Sequence, residues 1–147
     1  MTLLATIHVD DETFPGAPVT LIERAVRRAL EAEGRGEVEI SVALLPDAEM
    51  RRLNKEFLDK DHTTDVLAFT LSGAGNTTVG DVYVGYDQAA RQAAEVGVPL
   101  REELARLAIH GTLHVLGYDH PQGLDRAESP MFQLQERLLK GTLEDAV

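Results

Sequence analysis

LREELARLAIHGTLHVLGYDH, residues 100–120, is the stretch that decides how this chain is read. Leu104, Leu107, Ala108, Ile109, Leu113 and Leu116 fall on most sides of a helix from Leu100 to Leu116, so that helix is expected to be central and covered by neighbours. His110 and His114 stand one helical turn apart and project from the same face. Gly117 suits the left-handed conformation that ends a helix, after which the chain can turn back and bring His120 toward the first two. Three neutral imidazoles suit a zinc-like ion and leave a fourth position open, as in a catalytic rather than a structural site. Three of the chain's five histidines lie between His110 and His120.

The pattern His-x-x-x-His-x-x-Gly-x-x-His is also the ligand spacing of metzincin proteases. Those enzymes place Glu directly after the first His, as general base on the bound water. Here that position is Gly111, which has no side chain. The spacing therefore points to an open metal site whose chemistry is not peptide hydrolysis by that route.

Outward from this segment, the rest of the chain reads as an α+β domain spanning residues 1–147. A first strand runs from Thr2 to Val9. Thr20 with Glu23 has the form of a capping box, and Leu21, Ile22, Ala25, Val26, Ala29 and Leu30 make a helical apolar stripe closed by Gly34. Val38, Ile40, Val42 and Leu44 alternate as a half-buried strand stopped by Pro46. Asp47 is read as the cap of a short helix with Met50, Leu53 and Phe57 facing inward. Asp65 to Leu71 and Thr78 to Val84 form an antiparallel pair around the turn residues Gly73 to Asn76. Asp87 to Val96 is a helix ended by Gly97, and Ser129-Pro130 starts a last helix expected to stop near Lys140, before Gly141. The order βαβαββααα implies a small mixed four-stranded sheet packed with about five helices, with the metal site on the central one.

Composition narrows the function. With no cysteine, any transition metal must be held by nitrogen and oxygen ligands. The absence of thiols suits a cytoplasmic protein, and the chain shows neither an export signal nor an apolar run of membrane-spanning length, so no membrane partner is expected. A net charge of −11 argues against indiscriminate nucleic-acid binding. The charge is uneven, however: from Arg24 to Lys60 basic and acidic residues balance at eight each, against six and seventeen elsewhere. A polyanion could dock only on the balanced part. Arg24, Arg27 and Arg28 are read as a solvated helix face, leaving Arg51, Arg52, Lys55 and Lys60 as candidates for phosphate contact.

The segment from His110 to His120 matches, at every fixed position, the motif His-Gly-x-Leu-His-x-x-Gly-Tyr-Asp-His of the YbeY endoribonucleases, and most of the chain resembles that family. Leu53-Asn54, Lys60-Asp61, Thr64-Asp65-Val66-Leu67 with Phe69, and Gly80-Asp81-Val82 look like two further blocks of it. The resemblance implies one zinc ion on His110, His114 and His120. It also implies single-stranded RNA as substrate, in ribosomal RNA maturation and ribosome quality control, with precursor ribosomal RNA or the small ribosomal subunit as partner. Two positions depart from the pattern. Leu58 stands where the family usually has an arginine implicated in RNA function, which implies weakened RNA binding and turnover, because leucine cannot contact a phosphate. Ala68 and Thr70 replace the usual Ser and Pro around Phe69, a change of packing and turn geometry.

No side chain presents itself as a general base. Asp119 can orient a ligand imidazole or simply serve the turn. Asp65 and Asp81 read as turn or edge carboxylates, and His8 and His62 as ordinary surface or strand histidines. Two other functions remain open: a metal hydrolase of a peptide or small ester, which Gly111 disfavours, and a ribosome-assembly factor that binds RNA but does little chemistry.

Overall fold

The computed structural model describes residues 2–72, 75, 77–119 and 129–145. The elements follow the expected order: β1 (Leu4–Asp10), α1 (Val19–Glu33), β2 (Glu37–Leu45), α2 (Asp47–Leu58), β3 (Val66–Ser72), β4 (Thr77–Gly85), α3 (Tyr86–Val96), α4 (Leu100–Val115) and α5 (Pro130–Asp145). They build one four-stranded sheet in the order β1-β2-β4-β3. β1 pairs with β2 and β2 with β4 in parallel, with Ile7 opposite Ile40 and Val42 opposite Val82. β3 returns antiparallel along β4, with Ala68 opposite Val82, and is left as an edge strand. The mixed α+β sheet is therefore as expected.

Strand alternation sorts the core onto two faces. Val38, Ile40, Val42 and Leu44 of β2 join Val82 and Val84 of β4 against α1, α3 and α4. On the other face Leu45, Leu67, Phe69 and Tyr83 meet Met50 and Leu53 of α2. A third layer forms where Met131, Leu138 and Leu139 of α5 cover Ala105, Ile109 and Leu113 of α4 and Leu21, Ala25 and Ala29 of α1. α4 is thus enclosed between sheet and helices, the position its all-round apolar character implies.

Two glycines set how closely α4 approaches the sheet. A Cβ on Gly80 of β4 would lie 2.4 Å from Val115, and one on Gly111 of α4 would lie 2.5 Å from Val82. Helix and strand touch nearly backbone to side chain at these points, which fixes the height of the histidine face above β4.

Several local expectations are corrected. α1 starts after Pro18 with no side-chain cap, so the Thr20–Glu23 capping box does not form. Asp47 is the first residue of α2 rather than its cap. Its amide is satisfied from α3, by Asp87 Oδ2 at 3.0 Å, while its carboxylate takes both guanidinium nitrogens of Arg91 at 2.9 Å. The hydrogen bond from Arg91 holds the Asp47 carboxyl below its usual range. Phe57 is 57% exposed instead of facing inward, its ring set against Phe69 of the edge strand β3. Ser129 does cap α5, accepting the Phe132 amide at 3.0 Å, but the helix runs through Gly141 to Asp145. Gly141 is spent on packing: a Cβ there would meet the Arg28 guanidinium at 2.9 Å, and Arg28 pairs with Asp145 across α5. The turn at Gly73, Ala74 and Asn76 lies outside the described residues.

Candidate metal centre and cleft

α4 carries His110 and His114 on one face, one turn apart, and their rings meet nearly edge to face with centroids 4.6 Å apart. Their Nε2 atoms are 3.0 Å from each other. Each ring is turned by an acceptor on its other nitrogen. His110, 8% exposed, has Nδ1 2.7 Å from Gln135 Oε1 of α5. The Gln135 amide nitrogen donates to Glu136 at 3.1 Å, which leaves its oxygen toward His110, so His110 Nδ1 is the donor. His114 Nδ1 donates to the Tyr118 carbonyl at 2.9 Å. That carbonyl is presented by the turn at Gly117, whose φ of 103° favours glycine.

With both Nδ1 atoms protonated, neutral rings present Nε2 lone pairs to the same point. Two such nitrogens repel at 3.0 Å unless a cation lies between them. At Zn–N distances of about 2.0–2.1 Å, tetrahedral ligand nitrogens stand roughly 3.4 Å apart, so the pair is close to the required spacing. The residues fit a borderline ion bound by imidazole. His120, the expected third ligand, lies outside the described residues, and among those described no group of three potential ligands gathers.

Behind His110 runs a polar chain that sequence reasoning missed. Glu136 accepts from Gln135 and from Arg106, and Arg106 also bonds Glu103 at 2.5 Å and Glu102 at 3.1 Å. Gln92 of α3 closes the chain on Glu103 at 2.7 Å. Burial opposes the Arg106 charge, but the hydrogen bonds to Glu136 and Glu103 outweigh it and raise its pKa. The available signal was Gln135 itself: an amide inside the stripe Met131, Leu138, Leu139 points where α5 is otherwise apolar. Tyr118 was also missed as an anchor. Its hydroxyl donates to Glu33 of α1 at 2.5 Å, and that bond raises the phenol's pKa, so the group stays protonated and the turn stays pinned.

His114 and the turn residues Gly117, Tyr118 and Asp119 form one wall of a cleft of about 390 Å³. Val66 to Phe69 of the edge strand and Leu58 at the end of α2 form the rest. Leu58 is 48% exposed, so the position that departs from the family pattern looks onto the same cleft as His114. Arg51, Arg52, Lys55 and Lys60 are all exposed, and none of them lines the cleft. Arg51 pairs with Asp61 at 2.8 Å, and Arg52 with Glu49 at 3.0 Å and Glu56 at 3.1 Å. Asp119 lines the cleft, but its suggested partner His120 is not among the described residues. Asp65 accepts the Gly85 amide on its backbone carbonyl at 2.7 Å, and Asp81 stands on β4 beside Tyr83. His8 and His62 are exposed on β1 and in the loop after α2.

Among the described residues, no helix is long and apolar enough to cross a membrane. The family model described as Endoribonuclease YbeY matches residues 8–142. An endoribonuclease YbeY of Aquifex aeolicus is 46% identical over 104 residues, covering 69% of each chain. One from Bacillus licheniformis is 34% identical over 151 aligned positions, covering 95% of this chain and 94% of its own. A solution structure of a Thermotoga maritima protein superposes with a TM-score of 0.65 at 26% identity, over 97% of this chain and 91% of that one. A match that runs from β1 into α5 takes in both the histidine helix and the cleft, and on it this chain belongs to the endoribonuclease YbeY family.

Proposed function

We propose that this protein is a cytoplasmic, metal-dependent endoribonuclease that cuts single-stranded RNA in ribosomal RNA maturation and ribosome quality control. One zinc ion would be held by His110, His114 and His120. The observation that carries the reading is the convergence of two Nε2 atoms 3.0 Å apart, each ring fixed through its Nδ1, at one end of a cleft. When bound, such an ion supplies Lewis acidity toward an oxygen of the scissile phosphodiester or of water. The chain's own part is positional. Gln135 and the Tyr118 carbonyl hold the two Nδ1 protons and so aim both Nε2 atoms, and α4 gives them a rigid base. The cleft brings a strand laid along β3 past His114. The test is turnover of a labelled single-stranded RNA by zinc-loaded protein, with His110→Ala prepared identically. Cleavage by the first and not the second is expected; equal cleavage by both would trace the activity to a contaminant.

Gln135→Leu removes the acceptor for His110 Nδ1 and should weaken metal binding roughly 10- to 100-fold, the usual cost of losing such an orienting partner. Competition with a chromophoric chelator measures it, and an unchanged affinity would remove Gln135 from the site.

A second reading is favoured by Leu58: an RNA-binding assembly factor with little catalysis. A guanidinium at this exposed cleft position would hold two phosphate oxygens at once. Leu58→Arg should therefore strengthen RNA binding or turnover by about 1–3 kcal/mol. Because Leu58 is half exposed, the fold should shift by less than about 0.5 kcal/mol in a parallel melt. A folded variant with no gain on RNA would show that no phosphate of the substrate passes this wall.

A further inference from the structure

The wall of the cleft opposite His114 suits a nucleobase better than a phosphate. α2 ends in Phe57 and Leu58, 57% and 48% exposed, two of the five large apolar side chains exposed among the described residues. The Phe57 ring lies 5.3 Å from that of Phe69, tilted by 58°. Phe69 is backed in turn by Tyr83 at 6.0 Å and packs with Met50, Leu53 and Leu67. Phe69 is therefore packed from behind and lines the cleft, while Phe57, which does not itself line it, adds an exposed aromatic ring against Phe69.

Charge points the same way. The chain carries −11 overall, and the two arginines of α2 are bound in ion pairs, Arg51 with Asp61 and Arg52 with Glu49 and Glu56. An RNA strand gains little counterion release from such a surface, so its affinity must come largely from contacts that do not involve phosphate. Aromatic side chains supply these by stacking on bases, and only an unpaired base has a face to offer.

We propose that Phe57 and Phe69 form a stacking platform for one unpaired nucleobase, so that the protein selects single-stranded RNA by its bases more than by its backbone. The proposal rests on the endoribonuclease reading for its choice of RNA, but its test does not depend on cleavage. The probe is a fluorescent single-stranded oligoribonucleotide, read by anisotropy against the full chain, beside an otherwise identical strand made abasic along its length. Phe57→Ala should weaken binding of the intact strand about tenfold, the scale of one lost base–aromatic stack. Phe57→Tyr and Phe57→Trp should restore it. The abasic strand should bind poorly to the native protein and be indifferent to Phe57→Ala. The slope of log affinity against log salt should be shallower than about −1.4, the value for two phosphates neutralised on a single strand.

Equal binding of the intact and abasic strands, or no loss with Phe57→Ala in a folded protein, would overturn the platform. So would a change of oligomeric state in Phe57→Ala with RNA binding intact, since Phe57 would then serve contact between copies of this chain. Base-dependent binding without cleavage would leave the platform standing and overturn the endoribonuclease reading alone. Cleavage that is indifferent to Phe57 would do the reverse.

Discussion

Protein purified with His114 replaced by alanine should come away nearly metal-free. Its affinity for zinc should fall by on the order of 100-fold or more, and its RNA cleavage should fall with it. The change removes one of the two Nε2 atoms that converge at 3.0 Å, and leaves the Tyr118 carbonyl without its side-chain donor, while backbone bonds from Gly117 to His114 and from Tyr118 to Leu113 still tie the turn to α4. The fold should survive, because His114 is only half-buried at the cleft wall and Tyr118 keeps its bond to Glu33. Elemental analysis of the purified variant beside the native protein, with circular dichroism to confirm folding, checks it. Native metal content in His114→Ala would remove this residue from the proposed centre.

A second large effect is expected at Gly111, and it bears on the peptidase alternative. Restoring the metzincin base by Gly111→Glu should unfold the protein rather than create a protease. Position 111 faces the sheet: a Cβ there meets Val82 Cγ1 at 2.5 Å and Val66 Cγ2 at 3.3 Å. Even Gly111→Ala must push α4 off β4, a cost of about 1–3 kcal/mol that alanine's helix preference offsets only in part. A carboxylate there would also be buried without a partner, adding several kcal/mol against a total stability of roughly 5–15 kcal/mol. Melting should show Gly111→Ala lowered by roughly 3–10 °C and Gly111→Glu without a cooperative transition. A native-like melt for Gly111→Glu, with digestion of casein, would reverse both the packing argument and the dismissal of peptidase chemistry.

Several readings that rest on a few neighbouring residues held, because their physics is local, although the Thr20–Glu23 capping box and the Asp47 cap, equally local, did not form. The apolar stripe of α1, the alternation of β2, the left-handed Gly117 and the Ser129 cap of α5 each depend on residues within a turn or two. The placement of His110 and His114 on one face is of the same kind, since a spacing of four residues aligns them on any helix. Phe57 misled for a complementary reason. Met50, Leu53 and Phe57 share the helical period, but the period does not reveal that Met50 and Leu53 are covered while Phe57, set against Phe69 of the edge strand, stays exposed.

The sequence by itself determined the order of elements, the all-round apolar helix at the centre, the pairing of two imidazoles on it and the membership of a family. The tertiary structure alone decided the strand order β1-β2-β4-β3, the capping of α2 by Asp87 from α3, and the use of Gly111, Gly80 and Gly141 for close approach instead of turns. It also decided which groups orient the histidines, Gln135 from α5 and a backbone carbonyl in the turn, and that Leu58 shares a cleft with His114. The reason is distance along the chain. Helical period and turn chemistry act over three or four residues, whereas Gln135 is 25 residues from His110 and Asp87 is 40 from Asp47, and only the packed core brings such pairs together.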